Sequence, residues 1–243
     1  MNTIKVSDGK VKMIAHRGLS GLERENTCSA FVAAGNRSYF GIETDVHRTA
    51  DGQYVIIHDE NTERVSGGRY NIDVEESDYS AVSRIVLPDI DGSTNRQDIK
   101  IPLLIDYIKI CKKYEKKAVL ELKNYFEEKY ILEIIEIIKG EEYLENIIFI
   151  SFNFENCKTL RKLLPTHDIQ WLLAQEITDE LLAILNEYRL NLDTAYQAII
   201  SKDIVDKVHA LDLTVNCWTC DTKEVAERMI EYGVDYITTN ILE

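Results

Sequence analysis

Glu43, Asp45 and His47 fall at every second position of Gly41–Thr49, and His58 closes the β-branched run that follows Asp51-Gly52. Side chains two apart on a strand share a face, so a strand from Ile42 to Thr49 points two carboxylates and an imidazole the same way. Asp51-Gly52 is a two-residue hairpin signal of type I′, a turn with positive φ at both central residues. Such a turn pairs Ala50 with Gln53 and sets His58 directly across from Asp45, with Cβ atoms about 4.5–5.5 Å apart. Taken singly, Glu43 and Asp45 read as surface or ion-paired acids. Their apolar strand neighbours and the facing His58 favour a site instead. His47 shares the face but lies further along the hairpin, where it is expected to be exposed and is given no catalytic role.

Other groups with chemistry fall where short apolar runs end. Met13–His16 reads as a buried strand broken by Arg17-Gly18-Leu19-Ser20-Gly21, which leaves His16 and Arg17 at its C-terminal end. Glu121 and Lys123 share a face of the run Ala118–Leu122 and its extension. Ser151, Gln197 and Trp218 also sit at strand ends. Three carboxylates at one point repel, and a hard cation that takes oxygen ligands, Mg²⁺ or Ca²⁺, relieves the conflict. Lys123 can pair with Glu121 or hold an anionic oxygen, and the second role is preferred. Trp218 can be core packing, but its place at a strand's last residue favours substrate contact. Glu25-Asn26-Thr27 reads as a helix cap, with Asn26 or Thr27 accepting from free N–H groups. His167 and His209 read as structural or solvent-exposed.

The elements that must position these residues alternate. Helical patterns at Ser29–Asn36, Leu103–Tyr114, Glu127–Ile138, Glu155–Leu164, Asp179–Tyr188, Lys202–Leu211 and Lys223–Tyr232 separate apolar runs. The strands ending at His16 and Val46 are followed by Ala118–Leu122, Ile147–Ser151, Ile169–Ala174, Leu192–Tyr196, Leu213–Cys217 and Tyr236–Thr238. Eight parallel candidates predict a (β/α)₈ TIM barrel in one domain, with chemistry at the strand C-termini. An open doubly wound sheet competes, but no Gly-x-Gly-x-x-Gly loop follows the first strand. The β-hairpin is an addition to the second strand. Residues 60–101 lack regular periodicity and read as an inserted segment capping the site, since so long a plain loop is uncommon in a compact domain.

The 243 residues are 45% hydrophobic, enough for one large core, and carry a formal net charge of −14. Such acidity argues against nucleic-acid binding or adsorption to an anionic membrane. No signal peptide or membrane span is visible, and five cysteines fit reduced thiols in a cytoplasmic protein. Cys217-Trp218-Thr219-Cys220 has redox-pair spacing, but such a pair belongs at the start of a helix close to the N-terminus of its domain, and this one lies near the C-terminal end of the chain. Oligomeric state has no sequence signature here.

Taken in order, His16-Arg17-Gly18, Glu25-Asn26-Thr27, Glu43-Thr44-Asp45-Val46, Asp51-Gly52, Val55–Asp59, Glu121-Leu122-Lys123, Ser151-Phe152-Asn153, Val215–Thr219 and Gly233–Asn240 span nearly the whole chain. This ordered set resembles the glycerophosphodiester phosphodiesterase family. The resemblance implies a TIM barrel with an insertion after the second strand, and metal-dependent cleavage of glycerophosphodiesters to glycerol 3-phosphate and an alcohol. It further implies Glu43, Asp45 and Glu121 as metal ligands and His16 and His58 as the acid–base pair. By the same resemblance, Arg17 and Lys123 hold phosphate oxygens and Trp218 is an aromatic wall. The chain departs from the family pattern at Arg24, where proline is usual, and at Ile241, where the residues after Asn240 usually bring a proline. Two alternatives are a lysophospholipase D-like enzyme on single-chain lipids and a non-catalytic barrel that binds glycerophosphate. The first needs an apolar channel, yet Ile85-Val86-Leu87 is the one apolar run in the insertion.

Overall fold

Short apolar strands alternate with amphipathic helices and close into a ring. The computed structural model describes residues 2–6 and 10–243; Met1 and residues 7–9, part of the N-terminal stretch considered above for a leader, lie outside them. Eight parallel strands form the ring: β1 (Lys12–Ala15), β2 (Gly41–Arg48), β4 (Lys117–Leu122), β5 (Ile147–Ser151), β6 (Ile169–Leu173), β7 (Asn191–Ala195), β8 (Val215–Trp218) and β9 (Tyr236–Thr239). Their order is sequential, β1 pairs with both β2 and β9, and the sheet thereby closes as a TIM barrel. β3 (Tyr54–Ile56) is the antiparallel return arm on β2.

Helices α1 (Cys28–Gly35), α3 (Leu104–Lys113), α4 (Glu128–Gly140), α5 (Phe154–Leu163), α6 (Asp179–Tyr188), α7 (Lys202–His209) and α8 (Lys223–Tyr232) connect the strands, and α2 (Tyr79–Val82) is a single turn in the insertion. In α4, Ile131, Ile134, Ile135 and Ile138 recur on one face and are all buried, each stabilising by about 1.5–3 kcal/mol when removed from water. Thr178 caps α6 and Thr222 caps α8. Thr27 caps α1 through Ala30 N–H. Inside the ring, Ile14, Val119, Ile148, Ile150, Leu172 and Tyr236 fill the barrel. Among the described residues no helix is long and apolar enough to cross a membrane.

Two expectations about the hairpin are corrected. Val46 pairs with Ile56 and His47 with Val55, a register one residue away from the predicted pairing. The connection is a three-residue loop, Ala50-Asp51-Gly52, closed by Thr49 N–H donating to Gln53 O at 2.9 Å. Only Gly52 within it has positive φ, +85°, as in a type I turn followed by a left-handed glycine. The hydroxyl of Thr49 favours this loop, donating to Asp51 Oδ1 and accepting from Gln53 N–H. Asp45 therefore lies opposite Ile57, whose N–H donates to Asp45 O at 3.1 Å, and not opposite His58. His47 is buried rather than exposed.

Between β3 and α3 the inserted segment has a core of its own. Val65, Val74, Val82, Ile85, Leu87 and Ile99 pack on Val55 and Ile57 of the return arm. The return arm thus serves the barrel and the insertion at once.

Candidate active site

At the C-terminal mouth, strand pairing brings three acids together. β2 and β4 are in a register that sets Asp45 beside Glu121, and Glu43 lies one inward-facing step below Asp45. Glu43, Asp45 and Glu121 are all buried and offer oxygens within 4.8 Å of one another. Burial, then repulsion from Asp45 and Glu121, pushes the Glu43 carboxyl well above the usual carboxylate range. Burial and Asp45 push Glu121 up to about 8. Burial also opposes ionisation of Asp45, but Lys123 and Arg17 outweigh it and hold that carboxyl low. An all-oxygen, crowded, anionic donor set of this kind fits a hard divalent cation.

Two cations face the acids. Lys123 Nζ lies 2.9 Å from Glu121 Oε1 and 3.5 Å from Asp45 Oδ1. Arg17 Nε lies 3.6 Å from Asp45 Oδ2, and its Nη1 donates to Glu25 Oε1 at 2.8 Å. The Arg17 backbone is left-handed, φ 53°, and its N–H donates to Glu43 Oε2 at 2.8 Å. Gly18 must follow, because a Cβ there would stand 2.7 Å from the Ala30 backbone.

Both histidines have one ring nitrogen engaged. His16 Nδ1 donates to Asn240 Oδ1 at 2.8 Å, since Asn240 turns its amide nitrogen to Asp221 at 2.6 Å. Nε2 is then the basic nitrogen, 4.0 Å from Glu43 Oε2. Burial, then Arg17, lowers the His16 pKa to about 4, so the ring is neutral at neutral pH. His58 Nδ1 donates to Asp59 Oδ1 at 2.7 Å, and Asp59 is held by Arg64 Nε at 2.6 Å. Although off the predicted register, His58 reaches the mouth because β3 has ended at Ile56 and the chain turns inward.

One cavity of about 70 Å³ gathers these groups. His16, Arg17, Glu43, His58 and Glu121 line one side; Ile150, Phe152, Leu172 and Trp218 line the other, with Asp193 and Thr238. Trp218 meets Phe152 edge-on at 5.7 Å. Of the eight residues singled out from sequence, six line the cavity, and Asp45 and Lys123 bond to those that do. Ser151 instead donates to Leu122 O, and Gln197 lines a different cleft. His47 bridges Glu75 of the insertion, at 2.8 Å, and the carbonyl of His58, at 3.3 Å. His209 pairs with Asp235. Cys217 and Cys220 are buried free thiols, and burial drives the Cys217 pKa well up.

Several partners escaped the sequence. Asn26 is more than a neighbour of the cap: its amide donates to Asp45 Oδ2 at 2.7 Å and accepts from Thr44. Glu25 bridges Arg17 and both terminal nitrogens of Arg64. Burial opposes its charge, but Arg64 and Arg17 bring its pKa down to about 2. Arg24, in place of the usual proline, donates to the carbonyls of Pro88 and Asp89 and ties this loop to the insertion. Asp193 is buried with Oδ1 lacking any hydrogen-bond partner among the described residues. Burial, then Glu121 and Asp168, raises its pKa well above the carboxylate range. Its signal was the inward-facing period of Asn191, Asp193 and Ala195, which has no motif attached.

Comparison with known proteins places this geometry. The "Glycerophosphoryl diester phosphodiesterase family" profile matches residues 16–243. A glycerophosphodiester phosphodiesterase from Caldanaerobacter subterraneus subsp. tengcongensis is 30% identical, over 95% of this chain and 94% of that one. A solved glycerophosphodiester phosphodiesterase from Parabacteroides distasonis superposes with a TM-score of 0.76 at 25% identity, covering 99% of this chain and 94% of its own. An Oleispira antarctica phosphodiesterase in complex with the product sn-glycerol-3-phosphate gives a TM-score of 0.86 at 23% identity, covering 94% and 92%. With acids, histidines and cations converging at the mouth of a barrel matched along nearly its whole length, the chain belongs to the glycerophosphoryl diester phosphodiesterase family, enzymes that hydrolyse glycerophosphodiesters.

Proposed function

We propose that this chain cleaves glycerophosphodiesters to sn-glycerol 3-phosphate and an alcohol with a divalent metal and a histidine acid–base pair. The observation that carries the proposal is the buried triad of Glu43, Asp45 and Glu121 flanked by Arg17 and Lys123. With all three carboxylates ionised, as a bound cation would hold them against the upward pull of burial, those five groups leave one negative charge in excess, and a phosphodiester adds a second. A divalent cation cancels both. Mg²⁺ or Ca²⁺ held by the three carboxylates would, when bound, supply Lewis-acid polarisation of a phosphoryl oxygen.

The remaining work falls to the chain. Arg17 and Lys123 hold the non-bridging oxygens and stabilise the charge that grows on them. His16 suits the base, because Asn240 fixes its tautomer and its Nε2 stays unprotonated at neutral pH. His58 is assigned the acid: burial lowers its pKa, but Asp45 and the Asp59 carboxylate on Nδ1 act against that and favour the imidazolium. The proton leaves the nucleophile, either water or the glyceryl 2-hydroxyl, to His16 Nε2, and the departing alkoxide takes one from His58 Nε2; attack by the 2-hydroxyl gives a cyclic phosphate that water then opens to the same product. Trp218 and Phe152 wall the glyceryl side. The product bound to the Oleispira antarctica protein supports the same product here. The insertion caps the site indirectly, through Arg64 on Glu25 and Asp59 and Glu75 on His47.

Cavity size favours a water-soluble diester over a lysolipid. A cavity of about 70 Å³ walled by Ile150, Phe152, Leu172 and Trp218 suits a compact glyceryl unit better than one that carries an acyl chain. Product detection over a panel of glycerophosphodiesters and lysophospholipids, with Mg²⁺ and Ca²⁺ compared, tests this. Turnover of the soluble diesters supports the proposal; turnover of lysophospholipids alone contradicts it.

A further inference from the structure

We propose that Asp193 reads the glyceryl unit by hydrogen bonding to its terminal hydroxyl, the one furthest from phosphorus. The inference rests on the glycerophosphodiester reading above and adds a specificity-determining residue to it. Around the eight-stranded ring β7 is four strands from β2 in either direction, so Asp193 faces the carboxylates of β2 across the barrel. A substrate whose phosphate lies between Arg17 and Lys123 must extend toward that opposite wall.

The wall is otherwise a poor host for hydroxyls. Ile150, Phe152 and Leu172 are apolar, and Leu172 and Asn216 are the two strand neighbours of Asp193. Asn216 does not line the cavity, and it is engaged away from it: its amide donates to Gln170 Oε1 at 3.2 Å, and its oxygen accepts from Thr238 at 3.2 Å. The cavity-lining Asp193 is thus left with a buried oxygen that no described residue satisfies. Buried polar atoms are ordinarily paired, and a hydroxyl delivered by the ligand would pair this one. Trp218, on the adjoining strand, also lines the cavity, and its buried Nε1 has no hydrogen-bond partner among the described residues.

The test compares two phosphodiesters with the same leaving alcohol, one with a glyceryl unit and one with propane-1,2-diol in its place, which lacks only the terminal hydroxyl. Wild-type kcat/KM should favour the glyceryl substrate by at least about tenfold, because a site built to bond a hydroxyl discriminates strongly against its absence. Asp193→Leu should bring the ratio close to one by losing activity on the glyceryl substrate alone, and Asp193→Asn, which keeps an acceptor, should retain most of the preference. A purely structural role would depress both substrates by the same factor and overturn the proposal. If Asp193→Leu fails to fold by circular dichroism, inhibition of the wild-type enzyme by sn-glycerol 3-phosphate and by propane-1,2-diol 1-phosphate decides instead. Equal inhibition overturns the assignment, and tenfold weaker inhibition by the deoxy compound supports it. Wild-type protein that turns over neither diester overturns the glycerophosphodiester reading and this inference together; equal turnover of both overturns this inference alone.

Discussion

The two walls of the mouth are built from the same barrel but differ in almost every property. The wall from β1, β2 and β4 holds His16, Glu43, Asp45 and Glu121 with Arg17 and Lys123 close by, and even Arg17 Nε and Glu121 Oε1, which make no hydrogen bond among the described residues, face an opposite charge within 4.0 Å. The wall from β5, β6, β7 and β8 is largely apolar, with Asp193 Oδ1 and the Trp218 nitrogen unpartnered among the described residues. Charge in excess on one side suits bond cleavage. Unfilled hydrogen-bonding capacity in apolar surroundings on the other suits recognition. The difference assigns chemistry and selectivity to separate strands, so substitutions on the two walls should fail in different ways.

The largest effects belong to the charged wall. Asp45→Asn, Glu43→Gln or Glu121→Gln should each abolish calorimetrically detectable cation binding and lower kcat/KM on the order of 10³-fold or more. Wild-type cation affinity in any of them would separate the acids from the metal. His16→Ala and His58→Ala should each cost about 10²–10⁴-fold in kcat. A p-nitrophenyl leaving group needs no proton, so it should restore most of the rate to His58→Ala and little to His16→Ala; the opposite pattern would exchange their roles.

Smaller effects sharpen the boundary. Trp218→Ala should raise KM roughly tenfold with kcat nearly kept, the signature of lost binding without lost chemistry; a fall in kcat alone would move Trp218 to the charged side. Smallest is the acid response of the Arg64–Glu25–Arg17 bridge. The folded pKa of Glu25, about 2, lies below its ordinary value of 4.5, so its stabilisation is present above pH 4.5 and is lost as pH falls toward 2. Glu25→Gln should flatten urea stability across that window, and an unchanged slope would show that the bridge contributes nothing.

The barrel was legible because its signals are local and periodic: short apolar runs, helical spacing as in Ile131–Ile138, and polar residues at strand ends. The clustered acids were legible for the same reason, since period two alone joins Glu43 to Asp45. What stayed hidden depends on distant partners. The Asp-Gly signal was real, but the Thr49 hydroxyl lengthened the loop by one residue and shifted the register. His47 looked exposed because Glu75, which holds it, lies 28 residues further on. The insertion looked polar because Val65, Val74, Val82 and Ile99 are scattered singly and meet only in three dimensions. Asp193 had nothing beside it in sequence to mark it.

The central claim is that the charged wall works through a divalent cation. It is tested most directly by following product release from a glycerophosphodiester after exhaustive chelation of the wild-type enzyme and then re-addition of Mg²⁺ or Ca²⁺. Turnover should vanish on chelation and return with the ion in wild-type protein but not in Asp45→Asn; turnover that survives chelation undiminished would contradict the account.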